Sequence, residues 1–94
     1  MVHVFVRHKV KDYDGWRRVF DGFAAKRRAG GEVAFKIATV SDEPNNLCLF
    51  FEWQSVAKAK EFLGSSELAR EMEKAGVAEK PEIFIAEEVA KGTP

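Results

Sequence analysis

Along this chain the spacing of apolar residues switches between the period of a strand and that of a helix, and the order of the switches leaves few folds open. In "VHVFVRHKV" (residues 2–10), Val2, Val4 and Val6 point one way and His3, Phe5, Arg7 and Lys9 the other, the alternation of a strand. Asp12 then offers an N-cap, and Asp14 falls in the first turn, where a carboxylate suits the helix dipole. Trp16, Val19, Phe20 and Phe23 follow at i, i+3, i+4 and i+7, one apolar stripe of one helix. That helix closes on Lys26-Arg27-Arg28, cations at its negative end, with Gly30-Gly31 as the stop.

"EVAFKIATV" reads as a second strand with Val33, Phe35 and Ile37 on one face. A polar turn over residues 41–46, containing Pro44, leads to "LCLFFEW" as a third strand, completing a hairpin. Ser55 can cap a second helix, "VAKAKEFL", interrupted at Gly64. The helix restarts after Ser65 or Ser66 with Leu68, Met72 and Ala75 on one side, and Gly76-Val77 reads as a C-cap glycine and its hydrophobic contact. Pro81 opens a last strand, "EIFIAEEV". The order is β-α-β-β-α-β. Right-handed crossovers put both helices on one face of the sheet. Two interleaved split βαβ units then give a four-stranded antiparallel sheet of spatial order 4-1-3-2, the ferredoxin-like α+β arrangement. Residues 1–90 form this single domain, and 91–94 are a polar tail.

One set of strand positions is apolar throughout: Val4, Val6, Val33, Phe35, Ile37, Leu49, Phe51, Trp53, Ile83 and Ile85. This set belongs under the helices. The opposite set is mixed, with Phe5, Phe50 and Phe84 on adjacent strands and Arg7 able to meet Glu52 or Glu88 across the ladder. Two helical segments leave that second face without cover, and three phenylalanines in a row on a solvent face are sticky. A second copy of the sheet closing a two-fold dimer would bury them, placing Phe5, Arg7, Phe50, Glu52 and Phe84 in the interface. Stacking of single-stranded nucleic acid is the competing use of such a face. It needs a basic-glycine-aromatic pattern on the third strand, which "NLCLFFEW" lacks.

Charge speaks the same way. Lys and Arg number 15, as do Asp and Glu, so no cationic excess favours a phosphate backbone. Cys48 is the only cysteine and lies in an apolar run, which suggests an inert core thiol in a reducing compartment. The start of the chain does not read as a secretory signal, and no apolar run is long enough to span a bilayer, so a cytoplasmic protein is expected.

The phrases "VRHKVKDYDGWRRVFD", "CLFFEW", "AKEFLGSSELAREMEKAGV" and "PEIFIAEEV" together resemble the dimeric α/β-barrel superfamily, in particular its antibiotic-biosynthesis-monooxygenase-like branch, over residues 2–90. The resemblance implies a homodimer with a pocket between helices and sheet. It implies a repertoire running from cofactor-free oxygenases of aromatic polyketides through isomerases and haem degraders to proteins without known activity. The haem degraders use an Asn, a Trp and a His around the pocket. Here the only asparagines, Asn45 and Asn46, fall in the hairpin turn, away from the first strand.

His3 and His8 are five positions apart and point to opposite faces of a regular strand, so they cannot share a metal; neither a metal nor a cofactor is expected. His8 has the parity of Val4 and Val6 and faces the helices. With Trp16, Phe20, Phe23, Trp53 and Phe62 it can line the pocket that the resemblance implies, as a proton shuttle of near-neutral pKa. Alternatively it is a strand-end histidine bonded to Asp12, Asp14 or a carbonyl. Tyr13 can donate a phenol to the pocket or merely cover the helix end. Two readings follow: a homodimer that binds a small hydrophobic or aromatic molecule and acts on it by oxidation or proton transfer, with His8 and Tyr13 catalytic, or a non-catalytic dimer with a filled core.

Overall fold

In the computed structural model, which describes residues 1–94, β1 (Val2–Lys9) is the strand around which the rest assembles. It pairs antiparallel with β3 (Glu43–Trp53) on one side and β4 (Glu82–Glu87) on the other, and β2 (Glu32–Val40) adds outside β3. The spatial order is β2-β3-β1-β4, the order expected from the sequence. All the helices lie on one face, and the molecule measures 35 × 32 × 20 Å, the thickness of two layers.

The first helical stripe folds as two helices. Asp12 caps α1 (Tyr13–Gly22), its carboxylate accepting from the Gly15 N–H at 2.8 Å. At Phe23 the backbone leaves helical geometry (φ −95°, ψ 5°), and α2 (Ala24–Ala29) starts anew. Gly22, a weak helix former, precedes the break. Ser55 caps α3 (Val56–Leu63) and Ser65 caps α4 (Ser66–Lys74), with Gly64 between them. After α4, the Gly76 N–H reaches the Glu73 carbonyl and the Val77 N–H reaches that of Met72, a Schellman turn. It requires the φ of +78° that Gly76 adopts.

Three details of the sheet depart from expectation. The polar turn is shorter than 41–46: Ser41 and Asp42 alone turn the chain, Asp42 at φ 64°, and β3 begins at Glu43. A register irregularity lets the strand absorb Pro44, since Val40 faces Glu43 but Thr39 faces Leu47. A second bulge lies between Glu32 and Ala34. It turns Glu32 to the helix side opposite Trp53 and leaves Val33, expected under the helices, 54% exposed. Phe35 and Ile37 keep the helix face, but β2 overhangs the helices there and Phe35 remains exposed.

The core is built from Val4, Val6, Leu47, Leu49, Phe51 and Trp53 of the sheet against Trp16, Phe20 and Ala59 of the helices. Trp53 is its anchor at 1% exposure, and its indole N–H donates to the Gly30 carbonyl at 2.9 Å. Gly31, at φ +116°, leaves the indole its space: a Cβ there would lie 2.7 Å from the Trp53 Nε1.

The other face carries a row fixed by register: Lys36, Phe50, Phe5 and Phe84 across β2, β3, β1 and β4. Phe5 meets Phe50 edge-on at 5.7 Å, and Phe84 is 61% exposed. Arg7 pairs with neither Glu52 nor Glu88, the partners expected from the sequence. Its guanidinium donates to Glu82 at 2.7 Å and to the Asn46 amide oxygen at 2.9 Å, because Glu82 is its register partner on β4. Glu88 lies instead 3.7 Å from the His3 imidazole. Cys48, opposite Arg7, belongs to this face and is half-buried rather than a core thiol.

Candidate functional site

The alternation of β1 aims His8 at the helices, as Val4 and Val6 are aimed, and the imidazole comes to rest beneath α1 at 3% exposure. Trp16 stands edge-on to it at 5.7 Å and stacks in turn on Phe20 at 4.8 Å. Neither His8 ring nitrogen has a hydrogen-bond partner. Asp12, one expected partner, spends its carboxylate on the α1 cap. Burial is the larger cause, and the Arg7 charge the lesser, of an imidazole pKa lowered from 6.5 to about 4, so His8 is neutral at pH 7.

His8 opens on a cavity of about 80 Å³ between the sheet and the helices. Trp16, Phe20, Phe23, Trp53 and Phe62, the aromatics singled out in the sequence, all line it. Aliphatic side chains complete most of the wall: Val6, Leu49 and Ile83 from the sheet, Leu68, Met72 and Ala75 from the last helical segment. Tyr13 lies elsewhere. It borders a shallow depression with Ile37 and Pro44, its phenol oxygen accepting from Arg17 at 3.2 Å while its ring tilts against Trp16. No group of three or more His, Cys, Asp or Glu residues is arranged to hold a metal ion.

No protein-family model and no curated protein matches the chain. Solved structures match it along its whole length. A structure described as an antibiotic biosynthesis monooxygenase type from Caulobacter crescentus superposes with a TM-score of 0.73 at 19% identity, over 95% of this chain and 90% of that one. SnoaB, a cofactor-independent oxygenase from Streptomyces nogalater, gives 0.70 at 17%, over 94% of each chain. The fold is that of the antibiotic-biosynthesis-monooxygenase-like proteins. A dimeric ferredoxin-like protein from an uncultured marine organism shares it too, with a TM-score of 0.64 at 11% identity over all of both chains. At such identities the likeness is one of fold, and chemistry has to be read from the residues.

The residue that the sequence reading passed over is Arg27. Placed among the cations that end the helix, it is in fact 4% exposed and lines the cavity beside Phe20 and Phe23. Its Nε donates to Glu32 at 2.8 Å, its Nη1 to the Phe20 carbonyl, and its guanidinium lies 3.6 Å over the Phe20 ring. Burial pushes the Glu32 carboxyl above the usual carboxylate range, while the Arg27 charge and hydrogen bond pull the other way. Helical spacing held the signal, since Trp16, Phe20, Phe23 and Arg27 fall at i, i+4, i+7 and i+11. The β2 bulge that supplies Glu32 as its partner left no such mark.

Chemically, the cavity offers apolar walls, the Arg27 guanidinium held by Glu32, the Glu71 carboxylate with Lys74 3.8 Å away, and one neutral imidazole with a donor and an acceptor to spare. Fourteen of its 17 lining residues are hydrophobic and its two charged ones, Arg27 and Glu71, are each paired, which suits an uncharged molecule with one polar group. A proton taken by His8 would create an imidazolium that this burial disfavours, so proton transfer there needs an anion forming alongside it.

Proposed function

We propose that the chain is a homodimeric small-molecule-binding protein whose His8 cavity takes a small hydrophobic or aromatic molecule and, with His8 as base, supports cofactor-free proton transfer or oxidation. The observation that carries this reading is the buried imidazole without a partner. A polar group so placed costs about 1–3 kcal/mol of stability, and a ligand hydroxyl, amine or carbonyl would satisfy it. A filled, non-catalytic core would instead require a capped His8.

Native mass spectrometry of the protein as purified tests assembly and cargo together. The expected result is a species of twice the 10.6 kDa chain mass carrying a small adduct. The His8→Phe variant, which keeps a ring and removes both nitrogens, should remain a dimer and lose the adduct. A wild-type protein that carries nothing and does not bind the uncharged fluorophore N-phenyl-1-naphthylamine would favour the filled-core reading.

The dimer reading rests on the Phe50–Phe5–Phe84 row, which has no cover within the chain. Phe50→Glu would place a carboxylate from each protomer in the closed face. The expected outcome is a soluble monomer, the dissociation constant rising by more than about 100-fold because an unpaired buried charge costs several kcal/mol. Light scattering after size-exclusion chromatography reads the change, and an unaltered dimer would mean that copies associate elsewhere.

A further inference from the structure

The cavity, about 80 Å³ and half open to solvent, is too small for the ligand class just proposed, since pockets that hold such molecules run from roughly 300 Å³ upward. One wall differs from the rest. Helix α1 is anchored by the buried Trp16 and Phe20, and α3 by Ala59, but α4 has no buried residue. Its apolar side chains Leu68 and Met72, with Ala75 at its C-cap, form one wall of the cavity, all three half-buried.

The two ends of α4 are held differently. After its C-terminus the chain is pinned to the end of β1, the Lys11 N–H donating to the Gly76 carbonyl at 3.0 Å and the Ala78 N–H to that of Lys9 at 2.8 Å. The N-terminal end follows Gly64 and is tied across to α2 by one exposed ion pair, Lys26 to Glu67 at 3.4 Å. A pair of this kind contributes at most about 1 kcal/mol.

We infer that α4 is the gate of the His8 cavity, swinging about the Gly76 turn and parting from α2 at Lys26–Glu67 to widen the half-open cavity and admit an uncharged apolar molecule larger than its 80 Å³. The inference rests on the ligand-binding reading above. Opening exposes the half-buried stripe of one short helix and the cavity wall that it faces, and breaks no backbone pairing of the sheet, so it belongs to the low-energy end of local motions.

The test ties the lips together. In a Cys48→Ser background, Lys26→Cys and Glu67→Cys are joined by a short bismaleimide, and the same protein with both thiols capped by N-ethylmaleimide is the control. Uptake of N-phenyl-1-naphthylamine is followed by stopped-flow fluorescence. The cross-link should slow uptake by at least about 10-fold, and in the untied protein α4 amides should exchange with deuterium at least about 10-fold faster than those of α1. Equal uptake by tied and control proteins, or α4 amides as protected as those of α1, overturns the gate alone. Uptake by neither form removes the ligand-binding reading and the gate together.

Discussion

Arg27→Leu should lower the unfolding free energy by about 3–5 kcal/mol, because it strands a buried carboxylate. Glu32 is nearly as enclosed as Arg27, their side chains being 9% and 5% exposed, and the bulge in β2 holds it there. With the guanidinium gone, its electrostatic and hydrogen-bonding support goes too, and the stacking over Phe20 is lost besides. The double variant Arg27→Leu/Glu32→Leu should recover most of the loss, since two apolar groups replace a pair whose desolvation offsets much of its attraction. Urea unfolding at one fixed protein concentration measures all three chains. The single variant also carries a pH signature. Glu32 already has a raised carboxyl pKa in the folded state, and removing Arg27 raises it further. The folded variant then holds a proton that the unfolded chain releases, so its stability falls as pH rises through the usual carboxylate range and returns on acidification. A variant that loses less than about 1 kcal/mol would show Glu32 to be solvated, as surface pairs are.

His8 produces the opposite dependence. Its folded pKa of about 4 lies below the ordinary 6.5, so between those values the unfolded chain binds the extra proton. Stability is therefore complete above pH 6.5 and is lost as pH falls towards 4. At 1.36 kcal/mol per pKa unit the His8 contribution to that loss is roughly 3 kcal/mol. His8→Phe should abolish this part of the acid limb while leaving the limb below pH 4 to the carboxylates, among them Glu82, whose pKa Arg7 depresses. Urea midpoints at pH 7, 5.5 and 4.5 for wild type and variant isolate the effect. Parallel curves would mean that His8 finds a partner in solution, and the reading of its cavity would change with it. A ligand that hydrogen-bonds the neutral ring should deepen the acid loss, because protonation then also expels it.

Much of this was legible beforehand because it depends on period and parity. Alternation in "VHVFVRHKV" places His8 with Val4 and Val6, and helical spacing places Trp16, Phe20 and Phe23 opposite; the cavity wall follows from adding Trp53 and Phe62. The Phe5–Phe50–Phe84 row followed from the same parity once the strand order was known. Parity fails where a bulge intervenes. One extra residue in β2 sent Val33 outward and Glu32 inward, and no local residue announces that choice. Ion pairs across a ladder depend on register to one residue, which is why Arg7 took Glu82 in place of Glu52 or Glu88. Tyr13 illustrates a third limit: its neighbour in sequence, Trp16, contacts the His8 ring, yet its own phenol turns to Arg17.

By itself, then, the sequence determined the element order, the topology and the residues that meet around His8, because hydrophobic spacing is a local quantity and right-handed connection leaves one way to assemble it. Only the tertiary structure decided that His8 is left without a partner, that Arg27 is buried against Glu32, and that α4 walls the cavity with no buried residue of its own. Each of these depends on how closely separate elements approach and on where one bulge falls, and packing at that scale is settled by the whole chain at once.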